Sequence, residues 1–243
     1  MLMQAANKIK TINSVIARPF LATAEKFRPQ ARDTQEQASD ARFKAYFASN
    51  RKEILEAQRL RFRVFSEEYG VSFKNPFGVD RDRFDKHCLH LLVRDNQSGE
   101  LVGYTRLLPS ERTSKSGGFY SAEEFYMGMV TGLQGRIVEI GRTCIHPDYR
   151  SGAVITVLWS RLAQYMLEMD VAYLIGCASV GLDENYDVQR INQKIRLKHL
   201  SDLSERVSPR VPYPLADFET DASAEIESGH VAMPPLLKAY LRM

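Results

Sequence analysis

The sequence predicts an α/β (α+β) fold, with a mixed central sheet sandwiched by helices. Three observations carry that prediction. Residues 89–107 read as two strands around a turn-rich link. Residues 136–178 read as strand, helix, strand, which suggests a parallel-type crossover. Apolar residues at helical spacing recur in between.

The elements follow in order. From Ala41 to Ser49, Phe43, Ala45 and Phe47 alternate with polar neighbours, which predicts a strand. Asn50 offers a helix N-cap, and Glu53 stands at capping-box distance. The helix that follows runs to about Tyr69, with an apolar stripe of Ile54, Leu55, Phe62, Phe65 and Tyr69, and Gly70 ends it. Residues 71–86 form a polar loop that carries several acids. Leu89–Arg94 and Leu101–Leu107 flank the turn. Residues 109–118 read as loop, and Ser121 caps a short helix. Arg136–Cys144 is a strand, Gly152–Met169 a helix and Ala172–Ala178 a buried strand. Asp183–Leu200 is a helix with Val188, Ile191 and Ile195 on one face.

Composition excludes several classes. Hydrophobic residues at 44% and charged residues at 26% are ordinary for a globular protein and rule out a largely disordered chain. Cys88, Cys144 and Cys177 form no CxxC pair or disulfide framework, which points to a reducing compartment. No apolar run approaches the roughly 20 residues that span a bilayer. The net charge of +3 is uneven. Residues 1–32 hold six Lys or Arg against Glu25 alone, a formal +5, which leaves −2 for the other 211 residues. The basic excess belongs to the tail, so a nucleic-acid partner is not expected. Residues 1–40 are expected to be a basic tail and residues 41–243 one domain. Within the tail, Ile9, Ile12 and Ile16 have weak helical spacing. An amphipathic segment on an anionic membrane surface, a disordered tail and a cleavable targeting segment all fit that composition.

Four segments carry chemistry together: Arg59–Phe65; Asp80–Asp85 with His87 and His90; Arg106-Leu107-Leu108-Pro109; and Glu139-Ile140-Gly141-Arg142. Glu139 on an apolar strand is costly unless paired or functional. Arg142, three residues on, points the other way on a regular strand, and a bulge near Gly141 would bring both to one side.

This set resembles the acyl-homoserine lactone synthases and their GNAT-like acyltransferase fold. The matching residues are Arg61 with Val64-Phe65, Asp80, Asp82 and Phe84-Asp85, Arg106 to Pro109, and Glu139 with Arg142. It is more similar still to the ornithine Nα-acyltransferase family, sometimes labelled hemolysin-like. The run Gln58–Phe65, Asp85-Lys86-His87-Cys88 with His90, and Pro234 to Arg242 carry that likeness. Ala239 departs from the family's usual Gly. The chain also stops at Met243, where the family usually continues into further strand-forming sequence.

The resemblance implies transfer of a (3-hydroxy)fatty acyl group from acyl carrier protein to the α-amine of an amino acid, ornithine foremost. A signal-lactone synthase and a non-catalytic acyl-carrier or membrane-binding module are the alternatives. Glu139 is expected to be the general base, and Arg142 to orient it or to bind the substrate carboxylate. Arg61, Phe65, Asp80, Asp82, Asp85 and Arg106 are the expected substrate-binding residues. The aspartates suit a cationic substrate, or else they form a structural cluster around Arg61 or Arg106.

The run Arg150-Ser151-Gly152-Ala153-Val154-Ile155 is a degraded form of the pyrophosphate-cradling turn of coenzyme A users, and Ile155 crowds it. That favours a donor on the phosphopantetheine of acyl carrier protein. Arg150, with a stripe of Arg190, Lys194 and Lys198 at i, i+4 and i+8, would dock the acidic carrier. No bound cofactor and no metal are expected. Cys144 as an acyl-enzyme nucleophile is disfavoured against a buried structural thiol. The expected location is cytoplasmic, with peripheral contact at the inner face of the membrane.

Overall fold

The computed structural model describes residues 9–10, 18–19, 41–69, 77–181, 187–212 and 231–241. The chain folds as two compact units. One comprises residues 19–119 and 135–174, and the other residues 1–18, 120–134 and 175–243.

The first unit is built on strands β1 (Phe43–Phe47), β2 (Leu89–Asp95), β3 (Leu101–Pro109), β4 (Arg136–Ile145) and β5 (Val171–Gly176). Across the sheet the order is Arg18–Pro19, β5, β4, β3, β2, β1. The β1–β2, β2–β3 and β3–β4 pairs are antiparallel. Helix α1 (Arg51–Tyr69) follows β1, and α2 (Ala153–Glu168) crosses from β4 to its neighbour β5. Each helix covers one face of the pleat. Ala57, Leu60 and Val64 of α1 pack with Leu92, Tyr104 and Cys144. Residues of opposite parity, Val93, Gly103 and Ile145, lie under Val154 of α2.

The cap of α1 forms as the sequence predicts, with one difference. Asn50 Oδ1 accepts from the Glu53 amide at 3.0 Å. The Glu53 carboxylate reaches back chiefly to the amide of Ser49 at 2.7 Å, and that bond, with a lesser contribution from the Asn50 amide, holds its carboxyl below the ordinary value. The predicted apolar stripe needs correction. Leu55 is exposed, while Gln58 and Arg61 are buried beside Ala57, Leu60 and Val64. The inward face carries polar side chains because their partners lie inside, and a hydrophobic count cannot register that. Residues 110–116 are short helical turns where loop is predicted. Ser121 is buried at the first position inside its turn, and Tyr120 takes the cap position.

Gly103 is where α2 meets the sheet. A Cβ there would sit 2.7 Å from Val154 Cγ1 and 3.1 Å from Val93 Cβ. Gly103→Ala is expected to cost about 1–3 kcal/mol through overpacking. Urea unfolding should show a lower midpoint with an unchanged slope.

In the second unit, α3 (Val188–His199) is capped by Asp187, whose carboxylate accepts from the Arg190 amide at 3.0 Å. Residues 182–186, where the predicted first turn falls, lie outside the described residues. Ile191 and Ile195 pack with Ala178, Val180, Val231, Leu237 and Leu241, the last two on or beside helix α4 (Pro235–Tyr240). Ile9–Lys10 pairs antiparallel with Val180–Gly181. It is therefore extended where the Ile9, Ile12 and Ile16 spacing predicts helix. The tail's other residues, Arg18–Pro19 apart, lie outside the described residues, as do Gly70 and the start of the polar loop. No helix among the described residues is long and apolar enough to cross a membrane.

Candidate active site

The face of the sheet beneath α1 holds a compact charged cluster. Arg61 on α1 is 0% exposed. Its Nε and Nη2 contact Asp80 Oδ2 at 2.9 and 2.8 Å, and its Nη1 donates to Asp85 Oδ1 at 2.7 Å. Arg106 on β3 donates from Nη1 to Asp82 Oδ1 at 2.6 Å and to Asp85 Oδ1 at 2.7 Å. Arg142 on β4 approaches Asp80 at 3.5 Å and Asp82 at 3.4 Å. Three guanidinium groups thus face three carboxylates, and the cluster is formally neutral.

The loop that brings the aspartates in is tied to α1 and to itself. The Asp80 amide donates to the Gln58 carbonyl, and Gln58 Nε2 donates to Asp85 Oδ2 at 3.0 Å. The amides of Phe84 and Asp85 donate to Asp82 Oδ1, which makes a side-chain-closed turn. Burial pushes the Asp85 carboxyl up, but the Arg61 and Arg106 charges outweigh it and hold the group at about 2. Burial likewise opposes ionisation of Asp82, and Arg106 and Arg142 more than offset it. Both carboxylates therefore stay ionised at neutral pH.

The floor of the cluster is a buried hydrogen-bond chain. His90 Nε2 lies 2.9 Å from the Asp85 carbonyl, and Nδ1 lies 2.8 Å from the Tyr104 hydroxyl. Burial pushes His90 below its ordinary value, which keeps the ring neutral. A carbonyl can only accept, so Nε2 carries the proton and Tyr104 donates to Nδ1. Arg61 lies over the Tyr104 ring, 5.6 Å from its centroid.

β4 contains the bulge that the Glu139/Arg142 spacing calls for. Tyr104 pairs with Cys144, but Arg106 pairs with Gly141, so β4 fits one extra residue between those pairs. The left-handed residue is Arg142, with φ 55°, and not Gly141. The hydroxyls of Thr105 and Thr143 meet across the bulge at 2.8 Å. Glu139 pairs with Leu108 and so shares a face with Arg106 and Gly141. Beyond the bulge, Arg142 turns to that same side and reaches Asp80 and Asp82. Glu139 is 4% exposed, and Arg142, at 22% for its side chain, is the most open of the three arginines.

Six predicted residues meet in the cluster itself: Arg61, Asp80, Asp82, Asp85, Arg106 and Arg142. Glu139 lies on the same face, and Phe65 packs against the core below α1. The aspartates are ion-paired to Arg61 and Arg106, the structural arrangement weighed beside substrate contact. Cys144 is buried in the core, and burial pushes its thiol up to about 12, so it is a protonated thiol at neutral pH. Arg150 forms an ion pair with Glu68 and donates to the Ile145 carbonyl at 3.1 Å. Arg190, Lys194 and Lys198 lie on α3 of the other unit, with Arg190 and Lys198 exposed and Lys194 half-buried. Sequence reasoning misses Gln58 and Tyr104 as site residues. Tyr104 sits two residues before Arg106 on one strand face, the only signal it offers.

Comparisons with known proteins identify relatives of the chain. Residues 60–160 match the family described as Acetyltransferase (GNAT) domain. The chain is 32% identical over 218 residues to an L-ornithine N(alpha)-acyltransferase of Rhodobacter capsulatus, covering 85% of this chain and 82% of that protein. It is 33% identical over 210 residues to an L-ornithine N(alpha)-acyltransferase of Brucella abortus, covering 81% and 74%. Among solved structures, the AHL synthase LasI aligns with a TM-score of 0.42 at 21% identity, over 55% of this chain and 71% of that one. The chain belongs to the L-ornithine N(alpha)-acyltransferase family and is an amino-acid N-acyltransferase.

Proposed function

We propose that the chain moves a (3-hydroxy)fatty acyl group from acyl carrier protein to the α-amine of ornithine, giving a lyso-ornithine lipid. The observation that carries this reading is the β4 bulge, which sets Glu139 and Arg142 on one face beside a locked, neutral ion-pair cluster. The activity for which its relatives are named supports the acceptor.

The α-ammonium is mostly protonated at neutral pH, with an ordinary value of about 8. Glu139 removes that proton, directly or through one water. The amine nitrogen attacks the thioester carbonyl carbon, and a backbone N–H at the bulge holds the oxyanion. The C–S bond breaks, the nitrogen gives up its second proton as the amide forms, and the phosphopantetheine sulfur takes that proton and leaves as a thiol. Arg142, the most open of the three guanidinium groups, binds the substrate carboxylate. Arg61, Asp80 and Asp85, buried and ion-paired, act on substrate by fixing Arg142 and the loop; Asp82 and Arg106 complete the wall.

One feature supports a carrier-borne donor: Ile155 occupies a small-residue position of the turn. We assign Arg150 and the Arg190, Lys194, Lys198 stripe to carrier docking, and the basic tail to a peripheral membrane contact. The test is to incubate the protein with 3-hydroxyacyl carrier protein and a panel of amino acids, and to read products by mass spectrometry. An N-acyl-ornithine product is expected; no N-acyl product with any acceptor would sink the reading.

A further inference from the structure

The second unit carries an apolar surface that no step of acyl transfer uses. Tyr126, Met129, Leu200, Leu203 and Val211 are all exposed, Leu203 to 77% and Val211 to 79%. They are scattered in sequence but brought together by the fold. Ser208 pairs with Tyr126, and Arg210 lies 4.6 Å over the Tyr126 ring. The turn Leu203–Glu205 packs against the turn Gly128–Thr131, which carries Met129. Leu200 follows directly on α3.

The patch is also basic. Arg196, Arg206 and Arg210 stand there against Asp202 and Glu205, and they interleave with the aliphatic residues. Two of these arginines brace the backbone: Arg206 donates to the Ser201 carbonyl and Arg210 to the Ala122 carbonyl. Aliphatic side chains held out from a braced, basic rim match the chemistry of a bilayer surface. The leucines enter the acyl region, and the guanidinium groups stay at anionic headgroups.

We infer that this face docks the protein on an anionic lipid surface, independently of the N-terminal tail. The inference rests on the acyltransferase reading only for its use: a product with a fatty chain has to enter a membrane.

The test is co-sedimentation of the full chain with vesicles of phosphatidylcholine alone, or of equal parts phosphatidylcholine and phosphatidylglycerol. The wild type is expected to sediment with the anionic vesicles only, and less so at high salt. Leu200→Ser with Leu203→Ser is expected to weaken that binding about tenfold or more, because two aliphatic side chains no longer insert. Arg196→Glu should weaken it several-fold. Acyl transfer by the double serine variant without vesicles should match wild type.

Three results would overturn the inference. The wild type could fail to bind anionic vesicles. The double variant could bind as wild type does, which places the contact elsewhere, the tail included. Or the double variant could lose affinity for acyl carrier protein with vesicle binding intact, which makes the face a protein-docking surface. Absent acyl transfer by the wild type would count against the acyltransferase reading alone, since the vesicle assay reads out without it.

Discussion

Glu139→Gln is expected to lower kcat by about 10²–10⁴-fold, with the KM for the acyl donor little changed and the fold intact. The other titratable groups of the site are poor bases, each for a stated reason. Asp85 sits at about 2 under two arginines, so it has almost no driving force to take a proton at neutral pH. Asp82 is held low in the same way. Cys88 and Cys144 are each pushed up to about 12 by burial and stay protonated. His90 spends both ring nitrogens on Tyr104 and the Asp85 carbonyl. Asp80 is buried and ion-paired to Arg61 at 2.8 Å and to Arg142 at 3.5 Å, which leaves Glu139, on the strand face that the bulge shares with Arg142. Steady-state release of carrier thiol, with circular dichroism as the folding control, measures the effect. A variant turning over at the wild-type kcat would move the base to another group.

The strands are the most legible part of the fold. Alternation in β1 and the turn-rich link between β2 and β3 locate them to within a residue or two, because the pleat has a period of two and the link interrupts two apolar runs that are buried on both faces. The N-cap of α1 is legible for a local reason, since Asn50 and Glu53 act within one turn. The inward face of α1 is not. Arg61 counts as polar in any periodicity, and only the 19-residue separation to Asp80 closed in space shows why it is buried. The bulge is legible as a requirement of the Glu139/Arg142 spacing. Which residue takes the left-handed conformation is not, because Gly141 is the natural guess and Arg142 is the residue that adopts it. The division of the aspartates among Arg61, Arg106 and Arg142 depends on three elements meeting, and no spacing along the chain encodes that.

Arg61→Met is expected to lower stability by about 3–5 kcal/mol at neutral pH, the cost of removing one partner from a buried ion pair. The contrast within the molecule is Arg94 with Glu56, a partly exposed pair whose loss should cost about 0–1 kcal/mol. The difference is burial: Arg61 and its two aspartates have no access to water that could replace the lost bonds. The pH dependence separates this cause from simple loss of packing. In the wild type Asp85 is held below its unfolded value of about 3.9, so its contribution of about 2 kcal/mol is present above that value and is lost as pH falls toward 2. Without Arg61, Asp85 is a buried carboxylate with one cation fewer, and its folded value rises toward or above the unfolded one. Its contribution then shrinks or, once the folded value passes the unfolded one, weakens as pH rises from about 4, the reverse of the wild-type slope. Urea unfolding across pH 3 to 7 should therefore show the wild type gaining stability with pH and the Arg61→Met variant gaining less or losing it. Parallel profiles would mean that Arg61 acts through its bulk over Tyr104 and not through its charge. If charge is what counts, Arg142 feels the change as well, because Asp80 and Asp82 are its partners. The KM for the amino acid should then rise even at temperatures where the variant stays folded.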